Sequence, residues 1–393
     1  MKQPLTGPVD GPAHDIGHGR VGDTFARLCE IESPSGDEGA MGAAVRAELE
    51  AMGLGVREDG TAAETGAGCG NLLTRIPGPP GTRSVMLCAH IDTVPLTDRV
   101  EVELVDGVYR NRRDAILGAD DKAGVAVILE AARRWAAAGA PCGCELVFTT
   151  GEEVGLRGAR AFDTGPLEAE FGFVLDHAAP IGRMVVAAPT YYAVHAEFLG
   201  RSAHAGIRPE DGRSAIGAAA KAVESLRLGR LDEETTANVG VIRGGVAANV
   251  VPESCTIEAE VRSLDDGKAS EAVHTMVDTI TWAASATETD VDTTIEEHFR
   301  AYRIPESDPI VVIASEAMRD CGVEPVPSST GGGSDASALA AKGLPCLNLA
   351  IGVELNHTPQ ERVSAAALEK VLDIALRLAE HAAAKGGEGG ASC

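Results

Sequence analysis

The amino-acid sequence predicts an α/β protein with a mixed, mostly parallel sheet flanked by helices, into which a smaller α+β unit is inserted. Three runs of strand length, Val85–Ala89, Glu145–Thr150 and Phe171–Leu175, are typical of strands that are buried on both faces of a parallel sheet. From Tyr191 to Leu199 apolar and polar residues alternate, as they do in an antiparallel strand with one solvent-exposed face. An apolar run returns at Pro345–Ile351, so the α/β part resumes after the insertion.

The same change of pattern predicts the domain boundaries. Residues 1–188 and 300–393 are expected to form one discontinuous α/β domain, and residues 189–299 the inserted unit. Helical patterns at Ser214–Leu226 and Ala269–Ala284 alternate there with strand patterns, which is typical of two helices on a small sheet. Residues 1 to about 17 are expected to be a mobile leader, and the glycine-rich residues 386–393 a disordered tail.

Composition narrows the classes of function. Hydrophobic residues make up 44% of the 393 residues, which is enough for a sizeable core. The net charge, 34 − 59 = −25, and the lack of a Lys/Arg cluster argue against binding of nucleic acid. No run approaches the ~18 apolar residues of a membrane span. The nine cysteines are scattered, and the chain starts without an apolar signal core, so we expect free thiols and a cytoplasmic protein.

Histidine or acidic residues follow each of the buried strands. His90 ends the first run with Asp92 two residues further on, Glu152 and Glu153 follow the second, and Asp176 follows the third. Loops at the carboxyl ends of parallel strands are where α/β proteins collect their ligands. A histidine that binds a metal usually donates its other ring N–H to a carboxylate, a role that suits Asp92. Three such strand ends favour a metal site over a chance arrangement.

Two further segments belong to the same set. Asp120 and Asp121 open a long helical pattern, where acidic residues are equally expected as cap and dipole partners, so residue types alone do not decide between the two roles. His357 follows the run that ends at Ile351. Histidine nitrogens and carboxylate oxygens suit zinc and related divalent ions.

Such a set of side chains has enough donors for two metal ions. The four positive charges of two zinc ions would be balanced by three ligand carboxylates and one hydroxide. Two ions ~3.5–4 Å apart can generate hydroxide at neutral pH and polarise a carbonyl group. One carboxylate has to stay off the metals and carry the proton of the water to a leaving amine, and either Glu152 or Glu153 is placed to do so. The chemistry implied is hydrolysis of an amide.

Six motifs, spread over nearly the whole chain, resemble those of the co-catalytic zinc exopeptidases, the family of peptidase T, carboxypeptidase G and aminoacylase. They are Ala-His-Ile-Asp-Thr (89–93), Gly-Ala-Asp-Asp-Lys-Ala-Gly (118–124), Thr-Gly-Glu-Glu-Val-Gly (150–155), Leu-Asp-His (175–177), Gly-Arg-Ser-Ala-His-Ala-Gly (200–206) and Asn-His-Thr (356–358). Their order along the chain is also that of the family. The resemblance implies the zinc exopeptidase fold, with the inserted unit as a lid or dimerisation domain and the protein as a homodimer.

The resemblance also implies a ligand set. One zinc ion would be held by His90, Asp120 and Asp176, and a second by Asp120, Glu153 and His357, with Mn²⁺ or Co²⁺ as substitutes. Asp120 is identified as the bridging ligand because the bridging residue of this motif lies two positions before the lysine.

Other matching residues take roles by the same resemblance. Asp92 would orient the first histidine ligand, and Glu152 would be the general base and acid. In the inserted unit, His204 would help stabilise the tetrahedral oxyanion, either in its own chain or across a dimer. Asn249 and Arg262 would bind the substrate, a small peptide.

The motif at 118–124 and the segment Glu-Leu-Asn-His-Thr-Pro-Gln-Glu (354–361) look most like those of peptidase T, which implies removal of the amino-terminal residue of tripeptides. The chain departs from the family's pattern at two places: His177 stands where the family often has glycine, and the loop 331–335 differs from the family's form. Both departures weaken the transfer of the substrate preference of peptidase T to this chain. An N-acyl amino acid deacylase or a carboxypeptidase of the same family is the alternative. A catalytically inactive metal-binding homologue is the alternative of another class, and the complete set of ligands and base speaks against it.

Overall fold

The computed structural model describes residues 19–386, so the predicted leader and all but the first residue of the predicted tail lie outside the described residues. The helices of this range are α1 (Gly19–Cys29), α2 (Gly39–Ala51), α3 (Ala62–Thr65), α4 (Ala119–Ala138), α5 (Arg157–Ala161), α6 (Ala215–Ser225), α7 (Asp266–Ala286), α8 (Pro309–Asp320), α9 (Asp335–Ala341) and α10 (Ala365–Gly386). Its strands are β1 (Val56–Glu58), β2 (Leu72–Ile76), β3 (Ser84–His90), β4 (Val102–Val105), β5 (Val108–Asn111), β6 (Gly143–Thr149), β7 (Phe171–His177), β8 (Arg183–Ala188), β9 (Thr190–Leu199), β10 (Gly229–Arg230), β11 (Thr235–Gly244), β12 (Ser254–Ser263), β13 (Asp290–Phe299), β14 (Tyr302–Arg303), β15 (Val326–Ser329), β16 (Cys346–Ala350) and β17 (Arg362–Ser364).

The largest sheet has the strand order β1-β2-β6-β3-β7-β16-β8-β14, and β15 also pairs with β8. Of the eight pairings that the described residues make in this sheet, four are parallel, and three of these join β6, β3, β7 and β16 at its centre. These four central strands are the apolar runs seen in the sequence. The predicted α/β fold with a mixed sheet is therefore confirmed, and its parallel pairings lie mainly at the centre.

Helices cover both faces of this sheet. Leu87 of β3 lies in a core with residues of α1, α2, α4, α8 and α10, whereas its neighbours Met86 and Cys88 lie in a second core with residues of α5 and α9. All three side chains are at most 1% exposed. Because a strand buried on both faces needs apolar side chains at successive positions, the central strands appear in the sequence as continuous apolar runs.

Strands β9 to β13 form a separate antiparallel sheet in the order β10-β11-β12-β9-β13, and α6 and α7 cover one of its faces. The predicted alternation is present in β9, where Val194, Ala196 and Phe198 are buried and the residues between them are partly or fully exposed. Side chains cap both helices, Ser214 at the start of α6 and Asp265 at the start of α7. All these elements lie within the predicted insertion, whose exact boundaries remain a prediction.

Some elements were not indicated by the sequence pattern. They include a third sheet with the order β17-β5-β4, and the strands β8, β14 and β15 at one side of the main sheet. None of the helices between residues 19 and 386 combines the length and the apolarity that crossing a membrane requires.

Candidate metal centre

The five predicted ligands come from five segments that meet at the carboxyl edge of the central strands. His90 is the last residue of β3, Asp176 is the penultimate residue of β7, and Glu153 lies in the loop after β6. Asp120 lies at the start of α4, and His357 lies in the loop between β16 and β17. Because β6, β3 and β7 are parallel neighbours, their carboxyl ends lie side by side.

His90, Asp120 and Asp176 form the first group of candidate ligands. Nε2 of His90 lies 3.4 Å from Oδ1 of Asp120 and 3.6 Å from Oδ1 of Asp176. The three side chains are at most 9% exposed, and their ligand atoms all lie within 4.8 Å of one another. One imidazole nitrogen and two carboxylate oxygens in this arrangement suit a divalent cation.

The second group consists of Asp120, Glu153 and His357. Nε2 of His357 lies 2.9 Å from Oε1 of Glu153 and 3.3 Å from Oδ2 of Asp120. Asp120 therefore presents Oδ1 to the first group and Oδ2 to the second, which is the geometry of a bridging ligand. Asp121 belongs to neither group.

Burial and mutual repulsion act strongly on these carboxylates. Burial raises the pKa of Asp176 to about 8, although its hydrogen bond to His90 opposes the shift. Burial, followed by repulsion from Asp176, raises the pKa of Glu152 well above its ordinary value. Within residues 19–386, no Lys or Arg side chain forms an ion pair with Asp120, Glu153 or Asp176. Three buried carboxylates without a basic partner other than histidine fit two divalent cations, whose charge would compensate theirs.

Asp92 connects the first histidine to the loop after β6. Nδ1 of His90 lies 2.9 Å from the carbonyl oxygen of Asp92 and 3.3 Å from its Oδ1. The carboxylate also accepts the hydroxyl of Ser35 at 2.7 Å and the N–H groups of Glu152 and Glu153 at 3.0 and 3.2 Å. Burial raises the pKa of Asp92, but the hydrogen bonds, that of His90 foremost, bring it below its ordinary value. An ionised Asp92 can thus hold the ring and the loop in one arrangement.

A pocket of about 620 Å³ opens beside the two groups. Glu152 lines this pocket and belongs to neither ligand group. Arg262, Tyr191 and His298 of the inserted unit line it as well. The guanidinium of Arg262 lies 4.1 Å from the ring centroid of Tyr191, and the ring of Tyr191 stacks on that of His298 with centroids 4.7 Å apart. The pocket is therefore formed by both parts of the chain.

Several residues that support the site were missed by sequence reasoning. Nδ2 of Asn356 donates to Oδ2 of Asp120 at 2.7 Å, and Oδ1 of Asn348 accepts a backbone N–H of β7 at 3.2 Å. Glu361 accepts backbone hydrogen bonds from the segment that ends at Asp120. A signal for Asn356 and Glu361 was present, since both belong to the motif-like segment 354–361, of which only the histidine was assigned a role. Tyr191 and His298 carried no sequence signal.

The structure does not bring two of the predicted residues into the pocket of their own chain. His204 and Asn249 are exposed and do not line it. They lie next to each other in the inserted unit, where the N–H of Ala205 donates to the carbonyl oxygen of Asn249 at 3.0 Å. Arg262 differs from them because its strand, β12, reaches the pocket. A role for His204 and Asn249 within a single chain is therefore not supported, and a role across a dimer remains a prediction.

Comparison with known proteins identifies the family. The model of peptidase family M20/M25/M40 matches residues 86–381. The chain belongs to this family. The predicted resemblance is thereby confirmed, and the chain is a metallopeptidase, with its two candidate ligand groups at the expected edge of the sheet.

Solved structures of two relatives match nearly the whole chain. The aminopeptidase PepT from Bacillus cereus is 36% identical, with a TM-score of 0.85, and the match covers 93% of this chain and 98% of that one. A tripeptidase from Staphylococcus aureus is 34% identical with a TM-score of 0.88 and the same coverage. Peptidase T from Serratia proteamaculans is 29% identical over 269 residues, which are 67% of this chain and 65% of the relative. A dinuclear metal-binding peptidase from Bacillus subtilis, only 17% identical, shares the fold with a TM-score of 0.72 over 92% of this chain and 97% of that one.

Proposed function

We propose that the chain is an aminopeptidase that removes the amino-terminal residue from tripeptides. The hydrolytic part of the proposal is carried by Asp120, which presents one carboxylate oxygen to each of two ligand groups beside the unassigned carboxylate of Glu152. The substrate class is inferred from the PepT and tripeptidase relatives, which are 36% and 34% identical to the chain over 93% of its length.

Five side chains would hold two divalent ions. One ion would bind His90, Asp120 and Asp176, and the other would bind Asp120, Glu153 and His357. We infer zinc, with Mn²⁺ or Co²⁺ as substitutes, because imidazole nitrogens and carboxylate oxygens suit these ions. When bound, such a pair supplies hydroxide at neutral pH and polarises the scissile carbonyl group.

The side chains that line the pocket have to hold the substrate and move a proton. Glu152 would accept the proton of the attacking water and deliver it to the nitrogen of the leaving amine. Its position in the pocket outside both ligand groups supports this role. Arg262 would bind the carboxylate of the peptide, for which a guanidinium is a strong partner.

The inserted unit would act as a lid and as a dimerisation domain. Residues 189–299 would close over a catalytic domain formed by residues 1–188 and 300–393. His204 and Asn249 are exposed and do not line their own pocket, which supports a homodimer in which they serve the pocket of the partner subunit. There His204 would contact the oxyanion and Asn249 the substrate.

A set of matched peptides tests the proposed activity. The chain is incubated with the tripeptide Leu-Gly-Gly, its N-acetylated form and the peptides one residue shorter and longer, and the products are identified by mass spectrometry. We expect release of leucine from the free tripeptide and no cleavage of the acetylated one. Chelation of metal should abolish the activity, and Zn²⁺ should restore it.

Other products would contradict the proposed aminopeptidase activity. Release of the carboxy-terminal residue would indicate a carboxypeptidase, and turnover of acetylated substrates would indicate a deacylase. Binding of two ions without cleavage of any of these substrates would indicate an inactive homologue.

A further inference from the structure

Glu361 is a buried carboxylate that binds the backbone next to the candidate bridging ligand. Its Oε2 accepts the N–H groups of Leu117 and Gly118 at 2.8 and 2.7 Å, and its Oε1 accepts the N–H of Asp120 at 3.0 Å. Glu361 is only 1% exposed. Glu361 lies more than 240 residues away in the sequence, and its carboxylate holds the segment 117–120 through these three backbone donors.

These three N–H groups need an acceptor that the helix cannot supply. The first N–H groups of a helix have no partner within it. Gly118 has a φ of +73° and Asp120 has non-helical φ and ψ angles of −83° and 105°, so regular helix begins only after this segment. No backbone acceptor takes the N–H of Leu117, Gly118 or Asp120 in the described residues. The path of the chain into Asp120 thus depends on Glu361.

The loop that carries Glu361 also carries a candidate ligand of the second ion. His357 lies four residues earlier, and the N–H of Glu361 donates to the carbonyl oxygen of Thr358 at 3.0 Å, which closes a turn between them. Asn356 of the same loop donates to Oδ2 of Asp120 at 2.7 Å. Through Glu361 and Asn356, the loop therefore contacts both the backbone and the side chain of Asp120, and it places His357 beside Asp120.

The first ligand group depends less on this loop. His90 and Asp176 lie on β3 and β7, two paired strands at the centre of the main sheet. The second group, in contrast, takes Glu153 and His357 from loops and shares Asp120 with the first. A disturbance of the segment 117–120 should therefore affect the second ligand group more than the first.

We propose that Glu361 is a positioning residue that fixes Asp120 relative to His357 and thereby sets the affinity of the chain for its second divalent ion. The inference rests on the proposed two-metal function. Glu361 acts through the backbone of Asp120 and touches neither substrate nor the reacting atoms.

Glu361→Gln tests this role with a side chain of the same shape. The amide keeps one acceptor oxygen but replaces the other by an NH₂ group, which cannot accept a backbone N–H. The affinity for Zn²⁺ is measured by competition titration of the metal-free chain. We expect the second Zn²⁺ to bind 10–100-fold more weakly than in wild type, which is the usual effect of losing a group that supports a ligand. The affinity for the first Zn²⁺ should stay within about threefold of wild type. At low zinc kcat should fall by a similar factor with KM unchanged, and excess zinc should restore it.

Glu145→Gln is the matched control. Glu145 is also a buried carboxylate, 2% exposed, which accepts the N–H groups of Glu168 and Ala169 at 2.9 and 2.8 Å; it also pairs with Arg75, and it lies at the end of β6 away from the site. We expect it to leave the affinity for both ions unchanged. Thermal unfolding of both variants separates a general loss of stability from a loss of the second ion.

The outcomes are distinct. If Glu361→Gln binds both ions as wild type does, the inference is overturned. If this variant does not fold, Glu361→Asp takes its place. The side chain of aspartate is ~1.5 Å shorter, so its carboxylate cannot keep all three hydrogen bonds. Weaker binding of the second ion to Glu361→Asp supports the role, and unchanged binding overturns it. If the wild-type chain itself binds fewer than two ions or leaves tripeptides intact, it is the proposed function that fails.

Discussion

Glu152 and Glu153 are neighbours in the chain, yet their carboxylates lie in different surroundings. Oε1 of Glu153 lies 2.9 Å from Nε2 of His357, whereas Glu152 lines the pocket outside both ligand groups. We expect Glu152→Gln to lower kcat by ~10²–10⁴-fold, the usual contribution of a general acid–base, while the chain still binds two ions. Turnover of a free tripeptide and metal content after dialysis measure the two effects.

Glu153→Gln is the matched control for this prediction, because it removes the same charge one residue further on. It should retain one ion tightly and lose the other, since Glu153 belongs only to the second group. A Glu152→Gln variant with normal kcat, or one that loses an ion, would show that the roles of the two residues are assigned wrongly.

Residues of the site differ in how far the sequence could predict them. His90, Glu153 and Asp176 follow apolar strands, so a local pattern places them at one edge of a sheet. Glu361 could not be found in this way, because its partners, the N–H groups of residues 117–120, come close only in the folded chain. Tyr191 and His298 likewise acquire their position from the pairing of β9 with β13.

At the scale of elements, the start of α4 combines two roles that residue types alone left undecided. Asp121 has the cap role, since its Oδ1 accepts the N–H of Gly124 at 3.1 Å. Asp120 presents its carboxylate to the two ligand groups instead. The backbone of both residues is non-helical, and this change of direction separates their side chains. Residue types alone cannot tell such neighbours apart; the motif resemblance selected Asp120, and the backbone geometry gives the physical reason.

Lys122 in the first turn of α4 predicts a pH dependence of stability. It is 1% exposed, its Nζ donates to the carbonyl oxygen of Ile31 at 2.6 Å, and burial lowers its pKa to about 8. In the unfolded chain a lysine has a pKa of about 10.4, so between these values the unfolded state binds more protons and stability rises with pH. We expect this residue to add roughly 2 kcal/mol to the free energy of unfolding between pH 8 and pH 10.

Urea unfolding of the metal-free chain at several pH values measures this effect. Lys122→Met should show a smaller rise in the unfolding midpoint between pH 8 and pH 10 than wild type. The control is Lys370→Met, because Lys370 is half-buried and donates to the carbonyl oxygen of Cys321 at 2.8 Å in a comparable way. Equal pH dependence in wild type and Lys122→Met would contradict the prediction.

Strands were predicted well only where burial imposes a pattern. β3, β6, β7 and β16 are buried on both faces, so nearly every position is apolar. In contrast, β4 and β5 have four residues each and β17 has three, and most of these residues are partly or fully exposed. β4 and β5 form a hairpin across Asp106-Gly107, a turn signal that was not used, whereas β17 pairs with β5 from more than 250 residues away, which no local pattern reports.

At the scale of the whole molecule, the inserted unit forms part of the pocket wall. Nη1 of Arg262 donates to the carbonyl oxygen of Gly331 at 3.1 Å. A Cβ atom on Gly333 would lie 2.4 Å from the ring of Phe299, so only glycine allows this close approach of the loop to β13. The change of pattern along the sequence predicted the insertion. It did not predict that the strands of the inserted unit would pack on the glycine-rich loop 331–335.

The segments of the inserted unit around His204 and Asn249 expose apolar side chains. His204 and Asn249 are exposed there, and the apolar residues Ile207 and Val246 near them in sequence are 72% and 90% exposed. Burial of these two side chains against another chain would remove their apolar surface from water. In the proposed homodimer, these residues would belong to the contact that carries His204 to the partner subunit.

Mixed dimers test this arrangement. Dimers of His204→Ala chains lack the oxyanion contact, and dimers of Glu152→Gln chains lack the base, so both should be nearly inactive. In a mixed dimer, the pocket with intact Glu152 would receive the partner subunit's His204 and be complete. Random pairing of equal amounts makes half of the dimers mixed, each with one complete pocket, so we expect about one quarter of wild-type activity.

Co-expression of the two chains in equal amounts gives the random mixture for this measurement, and isolation of the mixed dimer through two different affinity tags should raise the expected activity to about one half of wild type. His274→Ala is the control for His204→Ala, because His274 is also an exposed histidine of the inserted unit and, among residues 19–386, its ring hydrogen-bonds only with Ser270 of its own helix. If His204 acted in its own chain, no pocket of the mixed dimer would contain both Glu152 and His204, and activity would stay at the sum of the two parents. Activity restored by mixing therefore requires both the dimer and the contribution of His204 across it.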